Sequence, residues 1–263
     1  MVKLIVSDLD GTLVNDESVI DPQFYEILPQ LKERGIRFAL ASGRPYSSLR
    51  ENFKEYLDEM ILIAENGALI MDNDRELFFH CMNRRQIMAC LDAIGQVKGA
   101  EAMVCAKEYS YTTSEELYRL LTSPRYRYSM QLVEDLYAVE DEIIKVSAID
   151  HSGRTARECY DLLRPVLDRE IELMVSGKFS LDTGVNGVDK GSAVAALQQM
   201  WRITPEETAV FGDQHNDVAM FRKAAYSFAM AGAAEDVKQH ARFQAGSNNE
   251  GGVVRAIRQM VGL

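Results

Sequence analysis

The chain has 263 residues, 47% of them hydrophobic and 26% charged, an ordinary globular composition with room for about two domains of roughly 150 residues. Its net charge of −11, from 40 acidic and 29 basic residues, leaves no basic footprint for nucleic acid or an anionic membrane surface. No stretch approaches the roughly 20 apolar residues of a membrane span, and the opening apolar run is cut at Asp8, so a cytoplasmic protein is expected.

In chain order, short apolar runs alternate with helical patterns over the first 75 residues or so. Leu4 to Val6, Ile36 to Ala41 and Ile61 to Ala64 are near-continuously apolar, as in strands buried on both faces. Between the first two, DPQFYEILPQLKERG reads as a helix opened by Asp21 and Pro22 and closed by Gly35, with a kink or break at Pro29. This is strand-helix-strand grammar, which predicts a parallel sheet with right-handed crossovers.

The pattern changes after Asn66-Gly67, a hairpin signal between ILIAE and ALIM. RRQIMACLDAIG then reads as a helix with Ile87, Leu91 and Ile94 on one face, and EAMVCA and YSYTT read as strands. Thr113 with Glu116 forms a capping-box signature before SEELYRLL. IIKVSAID, EIELMVS and KFSLDT add strands around a helix in RTARECYDLLRPVL. Successive strands without crossovers predict an antiparallel α+β domain over residues 84 to 182. KGSAVAALQQMW, an amphipathic helix, and TAVFGD, a strand, then resume the first pattern. The expected fold class is therefore α/β: a Rossmann-like parallel-sheet core formed by residues 1 to 83 and 183 to 263, interrupted by the α+β insertion.

Ligands of open parallel sheets bind beyond the carboxyl ends of the strands. Asp8, Ser42 and Asp213 fall at such ends. Asp8 and Asp10 are separated only by Leu9, and two carboxylates at ~4 Å repel by about 1 kcal/mol in water and about 4 at an effective dielectric of 20. They read equally as turn residues before Gly11 or, with Asp213, as hard oxygen ligands suited to Mg2+. Lys190 opens a predicted helix, where a cation opposes the macrodipole; it is either a solvated surface lysine or, with the helix N-terminus, part of a phosphate site. Ser42 either caps the helix after Pro45 or offers its hydroxyl to phosphate oxygens. Asn216 and Asp217 read as first-turn helix residues or as neighbours of the metal site.

The rest of the sequence is chemically quiet. Cys81, Cys90, Cys105 and Cys159 form no C-x-x-C pair and read as small buried hydrophobes. His80, His151, His215 and His240 are scattered and read as structural or exposed. No Walker loop, dinucleotide fingerprint, H-E-x-x-H or nucleophile elbow is present.

DLDGTL, ASGR, DKG and GDQHND, in this order, resemble the four motifs of the haloacid dehalogenase-like superfamily. The resemblance is greatest to the Cof-type phosphatases, which carry a cap between the second and third motifs; AENGA (64 to 68) and SNNEGGV (247 to 253) are similar to that group too. AMAGAAEDV (229 to 237) departs from it, with Gly232-Ala233 where many relatives read Asn-Ala.

The resemblance implies that Asp8 is a nucleophile forming an aspartyl phosphate, and that Asp10 acts as general acid, then as general base. It implies a Mg2+ ion held by Asp8, Asp10 (through its backbone carbonyl), Asp213 and Asp217, and a phosphoryl group held by Ser42, Gly43, Lys190 and Asn216. Arg44, Asn66 and Asn249 are candidate substrate contacts. The expected activity is hydrolysis of a small phosphomonoester, a sugar phosphate or phosphorylated cofactor. The rivals are a phosphomutase of the same superfamily and a catalytically idle phosphometabolite-binding protein. The residues name no substrate and no oligomeric state.

Overall fold

The computed structural model describes every residue except Arg125 and His151, so the expectation for His151 lies outside the described residues. The chain begins β1 (Leu4–Asp8), α1 (Gln23–Glu33), β2 (Arg37–Ala41), α2 (Tyr46–Asn52), β3 (Ile61–Ala64), β4 (Leu69–Asp72) and β5 (Arg75–Phe79). It continues α3 (Arg84–Gly95), β6 (Ala100–Ala106), β7 (Ser110–Thr112), α4 (Glu115–Leu121) and β8 (Met130–Leu132). Then come β9 (Ile143–Asp150), α5 (Ala156–Leu163), β10 (Ile171–Val175) and β11 (Ser180–Val185). It returns through α6 (Lys190–Trp201), β12 (Thr208–Gly212), α7 (Val218–Phe221), β13 (Tyr226–Ala229), α8 (Glu235–Lys238), β14 (Phe243–Gln244) and α9 (Gly252–Val261).

Two compact units result. The first comprises Met1–Ser42, Lys54–Leu77 and Asp189–Leu263; the second comprises Gly43–Phe53 and Phe78–Val188. Helix α2 thus groups with the second unit, where Ser48 Oγ donates to the Tyr126 carbonyl at 2.6 Å.

The first unit is built on a sheet of order β14-β13-β12-β1-β2-β3-β4-β5, parallel from β14 to β3 and antiparallel between β3 and β4. All five residues of β1 are buried, as expected of a central strand covered on both faces. Helix α1 runs through Pro29 as one helix, so of the expected kink or break the break does not occur. It buries Phe24, Ile27, Leu28 and Leu31, with Phe24 edge-on to Phe38 at 5.1 Å. At about 1.5 to 3 kcal/mol per buried side chain, those four contribute roughly twice or more the ~3 kcal/mol cost of an internal proline.

The second unit carries a sheet of order β10-β11-β9-β6-β7-β8. Its pairings are antiparallel except β7 with β8, a parallel pair the sequence pattern did not announce. Alternation along β6 sends Val104 into a cluster with Ile87, Leu91, Val146, Leu163 and Leu181, and Met103 and Cys105 into another with Leu117 and Leu121. The cap of α4 is Ser114, whose hydroxyl accepts from the Leu117 amide, one residue later than the predicted Thr113. Cys90, Cys105 and Cys159 are buried, whereas Cys81 is exposed, contrary to expectation. Among the described residues, no helix is long and apolar enough to cross a membrane.

Candidate active site

Strands β12, β1 and β2 are neighbours and run parallel, so their carboxyl ends bring Asp213, Asp8 and Ser42 to one edge of the sheet. Ser42 is buried: its amide donates to Ile63 O at 2.8 Å and its carbonyl accepts from the Asn66 amide at 2.9 Å. Helix α2 takes Pro45 as its cap and, among the described residues, receives no side-chain cap bond, so Ser42 is not its capping residue.

Lys190, at the first position of α6, is only 1% exposed, which removes the solvated-lysine reading. Its ammonium donates to Asp8 Oδ1 at 2.5 Å and to Asp217 Oδ1 at 2.6 Å. The other oxygen of Asp217 accepts from the amides of Asp213 at 2.9 Å and Gln214 at 3.0 Å. Asp217 thereby clamps the turn after β12 while holding the lysine. Carboxylate oxygens of Asp8, Asp213 and Asp217 lie within 4.8 Å of one another.

Asp213 is held from two sides, by the Thr12 hydroxyl at 2.8 Å and by Gln214 Nε2 at 3.0 Å. Thr12 escaped the sequence reading; the available signal was a hydroxyl two residues past Asp10 in the same turn. Gly11 between them has φ +82°, and a Cβ there would lie 2.5 Å from Asp213 Oδ2. Only glycine lets this turn pass so close to the carboxylate.

Three carboxylates against one ammonium leave an excess of two negative charges in a buried site. Burial opposes the charge on Lys190, but Asp217 and Asp8 outweigh it and hold its pKa above the ordinary lysine value. The excess falls on the acids. Burial pushes the Asp8 carboxyl well above the usual range; Lys190 pulls it back, and Asp217 and Asp213 add to the rise. Asp213 is pushed up to about 6 by burial and by Asp217, against its hydrogen bonds from Thr12 and Gln214. A divalent cation would neutralise this excess, and all-oxygen donors suit a hard ion.

The remaining candidates divide. Asp10 is exposed and follows Leu9, whose carbonyl accepts from Leu13 and Val14; its carboxylate is not among the three that converge. Asn216 Nδ2 donates to Asn66 Oδ1 at 3.0 Å, tying Asn216 to the β3–β4 turn. Gly43 and Arg44 lie in the second unit, where the Gly43 carbonyl accepts from Lys145 Nζ at 2.5 Å. Asn249 is engaged elsewhere, donating to Asp16 Oδ2 at 2.9 Å and accepting from the Asp16 amide at 3.0 Å. His215 is exposed and pairs with Asp236 at 2.8 Å.

Comparison with known proteins bears on the whole chain. It is 29% identical over 262 residues to the 5-amino-6-(5-phospho-D-ribitylamino)uracil phosphatase YbjI of Escherichia coli (strain K12), covering 99% of this chain and 96% of that protein. The crystal structure of SMU.1108c from Streptococcus mutans UA159 superposes with a TM-score of 0.91 at 29% identity, covering both chains completely (100%). The sugar phosphatase BT4131, of haloacid dehalogenase subclass IIB, shares the fold at a TM-score of 0.83 and 23% identity, covering 99% of this chain and 100% of that one. The family model of the haloacid dehalogenase-like hydrolases matches residues 5–257, and the chain belongs to that family.

Proposed function

We propose that this chain hydrolyses small phosphomonoesters with Mg2+, through an aspartyl phosphate on Asp8. The observation that carries the reading is the convergence of Asp8, Asp213 and Asp217 around the buried ammonium of Lys190.

Asp8 attacks the phosphorus, forming the acyl-phosphate bond while the bond from phosphorus to the leaving oxygen breaks. Asp10 donates its proton to the departing alkoxide. In the second half it takes a proton from water, which attacks the same phosphorus, expels Asp8 as a carboxylate and yields inorganic phosphate. Lys190 neutralises charge near Asp8 throughout, and Asp217 keeps that ammonium in place. Ser42 and Asn216 hold phosphoryl oxygens. Asp8, the Asp10 carbonyl and Asp213 would hold the metal, with Asp217, its oxygens already engaged, in support. Bound there, Mg2+ supplies charge neutralisation for the phosphoryl oxygens.

The substrate class is a phosphorylated sugar, sugar alcohol or cofactor precursor, in keeping with the phosphoribityl compound in the name of the Escherichia coli relative. The test is divalent-dependent phosphate release from a panel of phosphometabolites by the wild type, Asp8→Ala and Asp10→Ala. Release by the wild type alone is expected. Activity surviving in Asp8→Ala would rule out the covalent route. Substrate conversion without free phosphate would identify a mutase, and binding without turnover a binding protein.

A further inference from the structure

The turn between β3 and β4 is conformationally costly. Glu65 and Asn66 have φ +53° and +54°, and Gly67 follows at +106°, three successive residues in the left-handed region. Non-glycine residues persist there only when their surroundings over-determine the backbone, a condition that recurs at functional sites. The two-residue turn of an ordinary hairpin needs neither burial nor a preceding left-handed glutamate. Here Glu65 is 2% exposed and Asn66 wholly buried.

What surrounds the turn is the candidate site. The Asn66 amide donates to the Ser42 carbonyl at 2.9 Å, its side-chain Oδ1 accepts from Asn216 Nδ2 at 3.0 Å, and a Cβ on Gly67 would lie 2.3 Å from the Asp189 carbonyl, one residue before Lys190. One turn therefore touches three of the four motif segments. Asn216 has two side-chain N–H groups, and bonding one of them to Asn66 aims the other. Its Oδ1 is buried and has no hydrogen-bond partner among the described residues.

We propose that Asn66 is a positioning residue of the phosphoryl site: from a left-handed backbone it orients the Asn216 amide and holds the Ser42 carbonyl, without touching substrate itself. This rests on the phosphatase reading for the identity of the bound group. It gives Asn66 a different task from the candidate substrate contact expected from the sequence.

Asn66→Gly is the discriminating variant, because glycine adopts φ near +54° freely and removes only the side chain. Its affinity for inorganic phosphate, measured by calorimetry with Mg2+ present, should fall about tenfold, the size of one lost positioning hydrogen bond. KM for the best substrate of the panel should rise in parallel. Asn216→Ala should weaken phosphate to a similar degree, and the double variant should be no weaker than either single one. A merely structural role predicts a lowered Tm with phosphate affinity unchanged, and that result overturns the proposal. Additive effects in the double variant do so as well. Unchanged phosphate affinity in Asn216→Ala overturns it from the other end of the bond, whether or not Asn66→Gly folds. If the wild type binds phosphate with this coupling yet hydrolyses nothing in the panel, the positioning role stands and the hydrolytic reading fails.

Discussion

The ammonium of Lys190 donates to Asp8 Oδ1 at 2.5 Å, with both side chains almost completely shielded from solvent. The carboxylate read as the nucleophile is therefore held by a fixed positive charge. Removing one partner of a buried ion pair costs more than the pair contributes, because the other charge is stranded. Lys190→Met is expected to lower the unfolding free energy by about 3 to 5 kcal/mol. Urea denaturation without divalent cations measures this, and a loss below about 1 kcal/mol would contradict the charge arrangement.

Asp8 and Asp10 should separate kinetically. Asp8→Asn, which cannot form the acyl phosphate, should reduce phosphate release on the order of a thousandfold or more. Asp10→Asn should cost about 100- to 10,000-fold in turnover while leaving phosphate affinity within about twofold, the signature of a lost proton-transfer group. Equal losses in affinity and turnover for Asp10→Asn would argue that it binds rather than transfers protons.

The raised acidity of Asp213 has a pH signature. Its folded-state pKa of about 6 lies above the ordinary 3.8, so the folded state binds this proton more tightly than the unfolded chain does. That contribution to stability is present below about pH 4 and is lost as pH rises toward 6. Asp213→Asn keeps the neutral form at every pH. Without divalent cations it should be close to wild type in stability at pH 4 and more stable by roughly 1 to 3 kcal/mol at pH 7. Thermal unfolding at the two pH values checks this. A stability difference that shrinks with rising pH would show that the carboxylate is stabilised by ionisation instead.

The second unit contains its own buried pair. Alternation along β9 and β11 sends Val146 and Leu181 into the apolar cluster and sets Lys145, Ser147 and Asp182 on the opposite side of the sheet. Lys145 donates to Asp182 Oδ2 at 3.0 Å and Ser147 to Asp182 Oδ1 at 2.7 Å. Lys145→Met alone should destabilise by about 3 to 5 kcal/mol, and Lys145→Met with Asp182→Leu by clearly less, since the double change strands no charge. Equal losses would mean that the pair is net stabilising rather than a device that fixes one arrangement of the Gly43 carbonyl.

Much of this protein is written locally. The continuous apolar character of Leu4 to Val6 and Ile61 to Ala64 could be satisfied only by strands covered on both faces, and α6 begins where Asp189 and Lys190 open the helical pattern. The motif spacing likewise marked Asp8, Lys190, Asp213 and Asp217, because glycine turns and carboxylates at strand ends are signals within a few residues. Thr113 against Ser114 was missed because adjacent hydroxyl residues both fit a capping pattern and only the helix register chooses between them. The continuity of α1 through Pro29 was decided by the burial of Phe24, Ile27, Leu28 and Leu31, which depends on the strands beneath.

Tertiary structure alone decided the rest. Strand order placed β12 and β2 on either side of β1, and so turned three separate strand ends into one site. It joined Asn66 to Asn216 across 150 residues and tied Asn249 to Asp16 across 233. A sequence states which groups a chain carries; partners far apart along it meet only when the sheet closes, because hydrogen bonds and charge pairing act over a few ångströms of space and not along the chain.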